Sequence, residues 1–160
     1  MNLGAQLIAS GALVCVMALI HAIGVIGITK ALGLDERALR AHRVDFRALG
    51  LLVTMALCLF SLHIIEIALF AAFYIGVGAV EGVEPALFFS ASAYSTLGTI
   101  EASLPNEWRL VGAIEGLVGF LLIGWSTGVF IADMNKLLRE ELSQPNERNA
   151  SSSGRSSIRK

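Results

Sequence analysis

Four ionisable side chains stand inside stretches that are otherwise apolar: His21, His63, Glu66 and Glu115. Such groups are rare at bilayer depth and mark function by default. His63 and Glu66 are three residues apart, which puts them on one helix face. An imidazole beside a carboxylate can ligate a metal ion, carry a proton, or take hydrogen bonds from a neighbouring segment. A second polar set lies at "YSTLGTIEAS", residues 94–103, between two apolar stretches. It combines the hydroxyls of Ser95, Thr96 and Thr99 with a turn-forming Gly98 and the acid Glu101.

The elements that must carry these residues follow from composition. The chain has 160 residues, of which 55% are hydrophobic and 16% charged, a balance that places it in the membrane class. Three spans are predicted, over residues 7–29, 49–80 and 110–131. Each exceeds the roughly 18–20 apolar residues needed to cross about 30 Å of hydrocarbon. Of the 12 basic residues, only Arg109 lies outside two clusters. Lys30, Arg37, Arg40, Arg43 and Arg47 follow the first span, and the others follow the third. The positive-inside rule then sets the N-terminus outside, residues 81–107 outside, and the C-terminal tail in the cytoplasm of a cytoplasmic (inner) membrane. No basic region precedes the first span, so it reads as a retained helix and not a cleaved signal. A near-zero net charge offers no argument for nucleic acid as a partner.

Between the first two spans, residues 31–48 read as a short interfacial helix with Arg40, Arg43 and Arg47 toward anionic lipid, or else as a solvated connector. Residues 132–160 lose nearly every large apolar side chain after Leu142 and are expected to stay disordered. Cys15 and Cys58 stand alone, without the spacing of a metal site or disulfide framework. Gly112, Gly116, Gly124 and Gly128 recur at multiples of four, a stripe suited to close helix packing. A hinge at Gly119 or Gly124 is the other reading. Trp108 and Trp125 suit the two interfacial belts.

Residues 81–107 are too short to cross and too apolar for an ordinary loop. Glu81, Glu84 and Pro85 suit a helix start, and "PALFFSASAY" makes about three turns of pore-like helix over 85–94. The segment then returns at "EASLPNEW", which makes it re-entrant. Bare backbone at bilayer depth survives only where protein surrounds it or water fills a cavity. Several copies of "STLGTI" around an axis could turn their carbonyls inward, as a cation filter does. Rising 1.5 Å per residue, Glu66 lies about 25 Å up the second span and Glu115 about 10 Å down the third. Both acids, with His63 and Tyr94, are therefore expected to support the filter from behind, with Ser90, Ser92 or Tyr94 as donors. A direct metal or proton role is the second reading. His21 reads as a packed, hydrogen-bonded helix residue.

The order of span, short helix, T-x-G and glycine-rich span resembles the pore module of potassium channels, whose filter reads TVGYG. It is closer still to small bacterial channels of the two-pore-domain type, which carry "TTLGYGD", "EWRL" and "GWST". Here "STLG" occupies 95–98, "EWRLVGAIEG" 107–116 and "GWST" 124–127, preceded by "HIIEIALFAAFY" at 63–74. The resemblance covers residues 50–131. It implies an all-α membrane fold, a homotetramer, and an ion filter at Thr96, Leu97, Gly98 and Thr99 passing K+, with Na+ as the second candidate. Where the family has Tyr-Gly-Asp, this chain has Thr99, Ile100 and Glu101. A left-handed isoleucine would cost about 1–2 kcal/mol in each subunit, so the outer filter is expected to depart from the family shape and to discriminate less between K+ and Na+. Glu101 in four copies would form an acidic outer ring; the plainer reading is a polar outer loop.

These readings make the chain a pore-forming subunit of a cation channel. The alternative is a non-conducting, structural or accessory membrane protein with a degenerate pore. No cofactor or resident metal is expected beyond permeant monovalent cations. A membrane enzyme or metal transporter built on His21, His63 and Glu66 lacks a nucleophile and, in the sequence, a closed ligand set.

Overall fold

A computed structural model describes residues 3–32, 46–98 and 104–157, with side chains described as far as Lys136 and not for 46–48. Four helices account for most of them: α1 (Leu3–Ala31), α2 (Phe46–Gly76), α3 (Val83–Tyr94) and α4 (Arg109–Ser157). No strand occurs among the described residues. Three helices, α1, α2 and α4, are long and apolar enough to cross a membrane. Only 17%, 22% and 28% of their most apolar windows is buried within the chain, so most of that surface must face lipid or other chains.

Each spanning helix contributes one buried stripe at three- and four-residue spacing. The stripes are Met17, His21 and Val25 on α1, Met55 to Tyr74 on α2, and Val111 to Ser126 on α4. They build two apolar clusters. One joins Met17, Phe70, Tyr74, Phe89, Tyr94, Val111 and Leu122, and the other joins Val25, Met55, Leu59 and Leu62. On α1 and α2 the polar residues His21 and Glu66 fall between the two clusters, one turn from each. Close helix approach is set by small residues. A Cβ at Gly24 would sit 2.6 Å from the Leu62 side chain, and one at Gly119 would run into the Tyr94 carbonyl.

Two helix boundaries depart from the sequence expectation. The second span, expected to reach Val80, ends at Gly76. Gly78 adopts φ 69°, Gly78 N–H bonds to Ile75 O and Ala79 N–H to Tyr74 O. That is a Schellman cap, which glycine's freedom at positive φ permits. The tail, expected to be disordered over 132–160, is instead helical as far as Ser157. Elongating a formed helix needs no new nucleus, and "KLLREEL" consists of strong helix formers; its passage through Pro145 has no local explanation. Consequently Trp125 lies well inside α4 rather than at its end, with its ring 5.4 Å from that of His21. The expected interfacial helix over 31–48 falls largely on residues 33–45, outside the described ones.

Candidate functional site

α3 is a 12-residue helix that begins after Gly82, with Glu84 in its first turn. It buries Ala86, Phe89, Ser90 and Tyr94 along one face, while Phe88 is exposed. Two carboxylates from different helices hold that buried face.

Glu66 forms the larger centre and is fully buried. His21 Nδ1 lies 2.9 Å from its Oε1. His63 Nδ1 lies 3.0 Å from its Oε2, and the Tyr94 hydroxyl donates to that same oxygen at 2.5 Å. His63 Nδ1 is also 2.9 Å from the Tyr94 hydroxyl. The two imidazoles stack at 5.5 Å with their planes 26° apart. Ser126 Oγ from α4 lies 3.3 Å from His21 Nε2. Three helices thus meet at one carboxylate, which α4 reaches only through His21, and each of its oxygens has a donor, as a buried charge requires.

Glu115 forms the second centre, also fully buried. Tyr74 donates to its Oε2 at 2.6 Å and Ser90 to its Oε1 at 2.5 Å. The Ser90 hydroxyl is also 2.9 Å from the Ile67 carbonyl. Here every donor is a hydroxyl.

Beyond Tyr94 the chain turns sharply. Thr96 N–H bonds to Ala93 O, and both Leu97 and Gly98 N–H groups bond to Ser92 O. Thr96 has φ 61°, the sole non-glycine positive φ among the described residues, and Gly98 has φ 72°. The pattern is a second Schellman cap, with a β-branched residue where Gly78 serves in the first. Left-handed geometry costs an L-residue about 1–2 kcal/mol. Sequence reasoning weighed that cost only for Ile100, which lies with Thr99 and Glu101 outside the described residues; among those described, Thr96 is the β-branched residue that bears it. Leu97 is 82% exposed. A groove of about 570 Å³ runs beside this turn, between α3 and α4, bordered by Thr96, Gly98, Gly112, Gly116 and Phe120.

The structure therefore brings His63, Glu66 and Tyr94 together and sets Glu115 against Ser90, with Thr96, Leu97 and Gly98 on the exposed turn that follows. Sequence reasoning missed Tyr74 and Ser126, and it grouped His21 with His63 and Glu66 only in the enzyme or metal-transporter reading, taking it otherwise for a packed helix residue. His21 and Ser126 both fall in the half of their predicted spans nearer the basic clusters, a depth match that could have linked those two. Tyr74 carried no such signal, because an aromatic in an apolar span reads as packing. Of the glycine stripe, Gly112 and Gly116 meet α3 or its following loop closely, while Gly124 and Gly128 meet nothing within 4 Å. Comparison of the chain with protein-family models, curated proteins and solved structures found no match.

Proposed function

We propose that the chain is the pore-forming subunit of a homotetrameric, potassium channel-like cation channel in the cytoplasmic membrane, with α3 as a re-entrant pore helix and residues 95–101 as its filter. The N-terminus lies outside and the C-terminus in the cytoplasm, where the basic residues meet anionic lipid. The observation that carries this reading is the way α3 is held and ended. A helix too short to cross is anchored from behind by two buried carboxylates, and it ends in an exposed turn with a strained threonine. Strain persists where surrounding structure over-determines it, and such sites cluster at function.

The cap also decides which carbonyls an ion can use. Those of Ala91, Ser92 and Ala93 already accept bonds from residues 95–98, which favours carbonyls beyond Ala93 as ion ligands. One chain offers a single such turn, and a hydrated axis lined by carbonyls needs several copies. The partly empty groove between α3 and α4, with the exposed apolar residues Leu117, Phe120 and Leu121 on α4, gives neighbouring copies a surface to pack on.

Purified protein in liposomes with a K+ gradient and a flux dye tests the proposal. Conduction of K+, with appreciable Na+ passage in a parallel assay, is expected. A silent preparation that is tetrameric and folded would favour the non-conducting reading. Thr96→Gly sharpens the test: removing left-handed strain should stabilise the fold by about 1 kcal/mol while altering flux through loss of the hydroxyl and rigidity at the turn.

A further inference from the structure

The Glu66 centre holds more donors than helix adhesion needs. One carboxylate and one imidazole would join α1 to α2; here two imidazoles from separate helices converge on one carboxylate, and nitrogen or oxygen ligand atoms of His21, His63 and Glu66 all lie within 4.8 Å of one another. We propose that these three residues bind a single first-row divalent cation, Zn2+ foremost, which clamps α1 to α2 directly behind the end of α3.

Donor chemistry supports that class of ion. Two imidazole nitrogens and a carboxylate oxygen suit borderline metals such as Zn2+ and Co2+, whereas Mg2+ and Ca2+ prefer oxygen alone. Geometry allows it with small movements. Around a tetrahedral ion with bonds of about 2.0–2.2 Å, donors stand roughly 3.3–3.5 Å apart. His21 Nδ1 and His63 Nδ1 lie 2.9 and 3.0 Å from different oxygens of Glu66, so a carboxylate bound through one oxygen would open one pair by a few tenths of an ångström and draw the other imidazole inward. The widest separation would close by no more than about 1.5 Å.

Protons need not be lost from the imidazoles. In the resting network a neutral histidine can donate from Nδ1 to Glu66. With a cation on Nδ1, the hydrogen moves to Nε2, where His21 finds Ser126 Oγ as its acceptor. Such an outer partner fixes tautomer and ring orientation. Three protein ligands leave a fourth position for water, and the Tyr94 hydroxyl, already within hydrogen-bond distance of two of the three residues, is placed to bond it. The bound ion would bring two positive charges next to Tyr94. Of the three side chains only that of His63 is partly exposed, at 14%, while those of His21 and Glu66 are fully buried.

The site stands independently of conduction, because bound metal is its readout; only an effect on flux rests on the pore reading. Untagged full-length protein, stripped of metal in detergent, is titrated with Co2+ and followed by the visible absorption of tetrahedral Co2+. One Co2+ per chain, displaced by Zn2+ and not by Mg2+ or Ca2+, is expected. His63→Gln and His21→Ala should each abolish saturable binding, and Ser126→Ala should weaken it about 10–100-fold. Should His21→Ala fail to stay monodisperse, His63→Gln carries the test, because that side chain reaches the surface. Absence of saturable binding, binding untouched by His63→Gln, or one ion per tetramer would each overturn the proposal. Zn2+ binding with silent flux keeps the site and removes the pore; flux without Zn2+ binding does the reverse.

Discussion

Glu66 and Glu115 are the same residue type, equally buried, on neighbouring helices, yet their surroundings differ in kind. Glu66 is met by two imidazoles and a phenol and joins all four helices through His21, His63, Tyr94 and Ser126. Glu115 is met by two hydroxyls and ties α3 and α2 to α4. Hydroxyls rotate to suit their acceptor and do little else. Imidazoles can exchange tautomer, take a proton or ligate a metal. Both centres anchor α3, but only the Glu66 centre carries imidazoles, which can exchange tautomer or ligate a metal through nitrogen.

Alanine at each acid is the strongest way to break this comparison. Glu66→Ala removes the acceptor of three donors, leaving His21 Nδ1 unsatisfied and His63 and Tyr94 with only each other, at about 1–3 kcal/mol per unsatisfied group, and should give the largest loss of stability in denaturant unfolding of the detergent-solubilised protein. Glu115→Ala strands two hydroxyls, of which Ser90 keeps the Ile67 carbonyl, so a loss of about 1–3 kcal/mol is expected. Equal losses would show that the two centres are equivalent. The phenols sharpen the contrast. Tyr74→Phe leaves Glu115 with one side-chain donor, while Tyr94→Phe leaves Glu66 with two; each should cost about 0.6–1.7 kcal/mol within a membrane fold, Tyr74→Phe the more. Smallest is Ser126→Ala, which touches the edge of the Glu66 centre at 3.3 Å; about 0.6 kcal/mol or less is expected, although the same change should weaken Zn2+ markedly.

Packing provides a parallel contrast. Gly119 and Gly124 are alike as candidate hinges in the sequence. In the fold, Gly119 lies against the Tyr94 backbone and Gly124 meets nothing. Gly119→Ala should destabilise by about 1–3 kcal/mol through overpacking, and Gly124→Ala should be close to neutral in one chain.

Much of the site was legible from local pattern. The i, i+3 spacing predicted that His63 and Glu66 share a face, and their Nδ1–Oε2 distance is 3.0 Å. Rise per residue placed Glu66 and Glu115 near the short helix, and both bond to it. The end of α2 was misjudged because apolar composition continues through Val77 to Val80, whereas the backbone is turned by Gly78. Hydropathy does not register a cap.

From sequence alone came three apolar lengths sufficient to span, a break between the second and third, and the residue types available at mid-depth. These are local properties, read within windows of a few turns. Tertiary structure alone decided that His21 reaches Glu66 across 45 residues and Ser126 reaches His21 across 105. It also decided that Thr96 takes the left-handed cap. Which donor meets which acid depends on how helices cross and rotate, and a period of 3.6 residues sets each helix's own face without saying whose face it will meet.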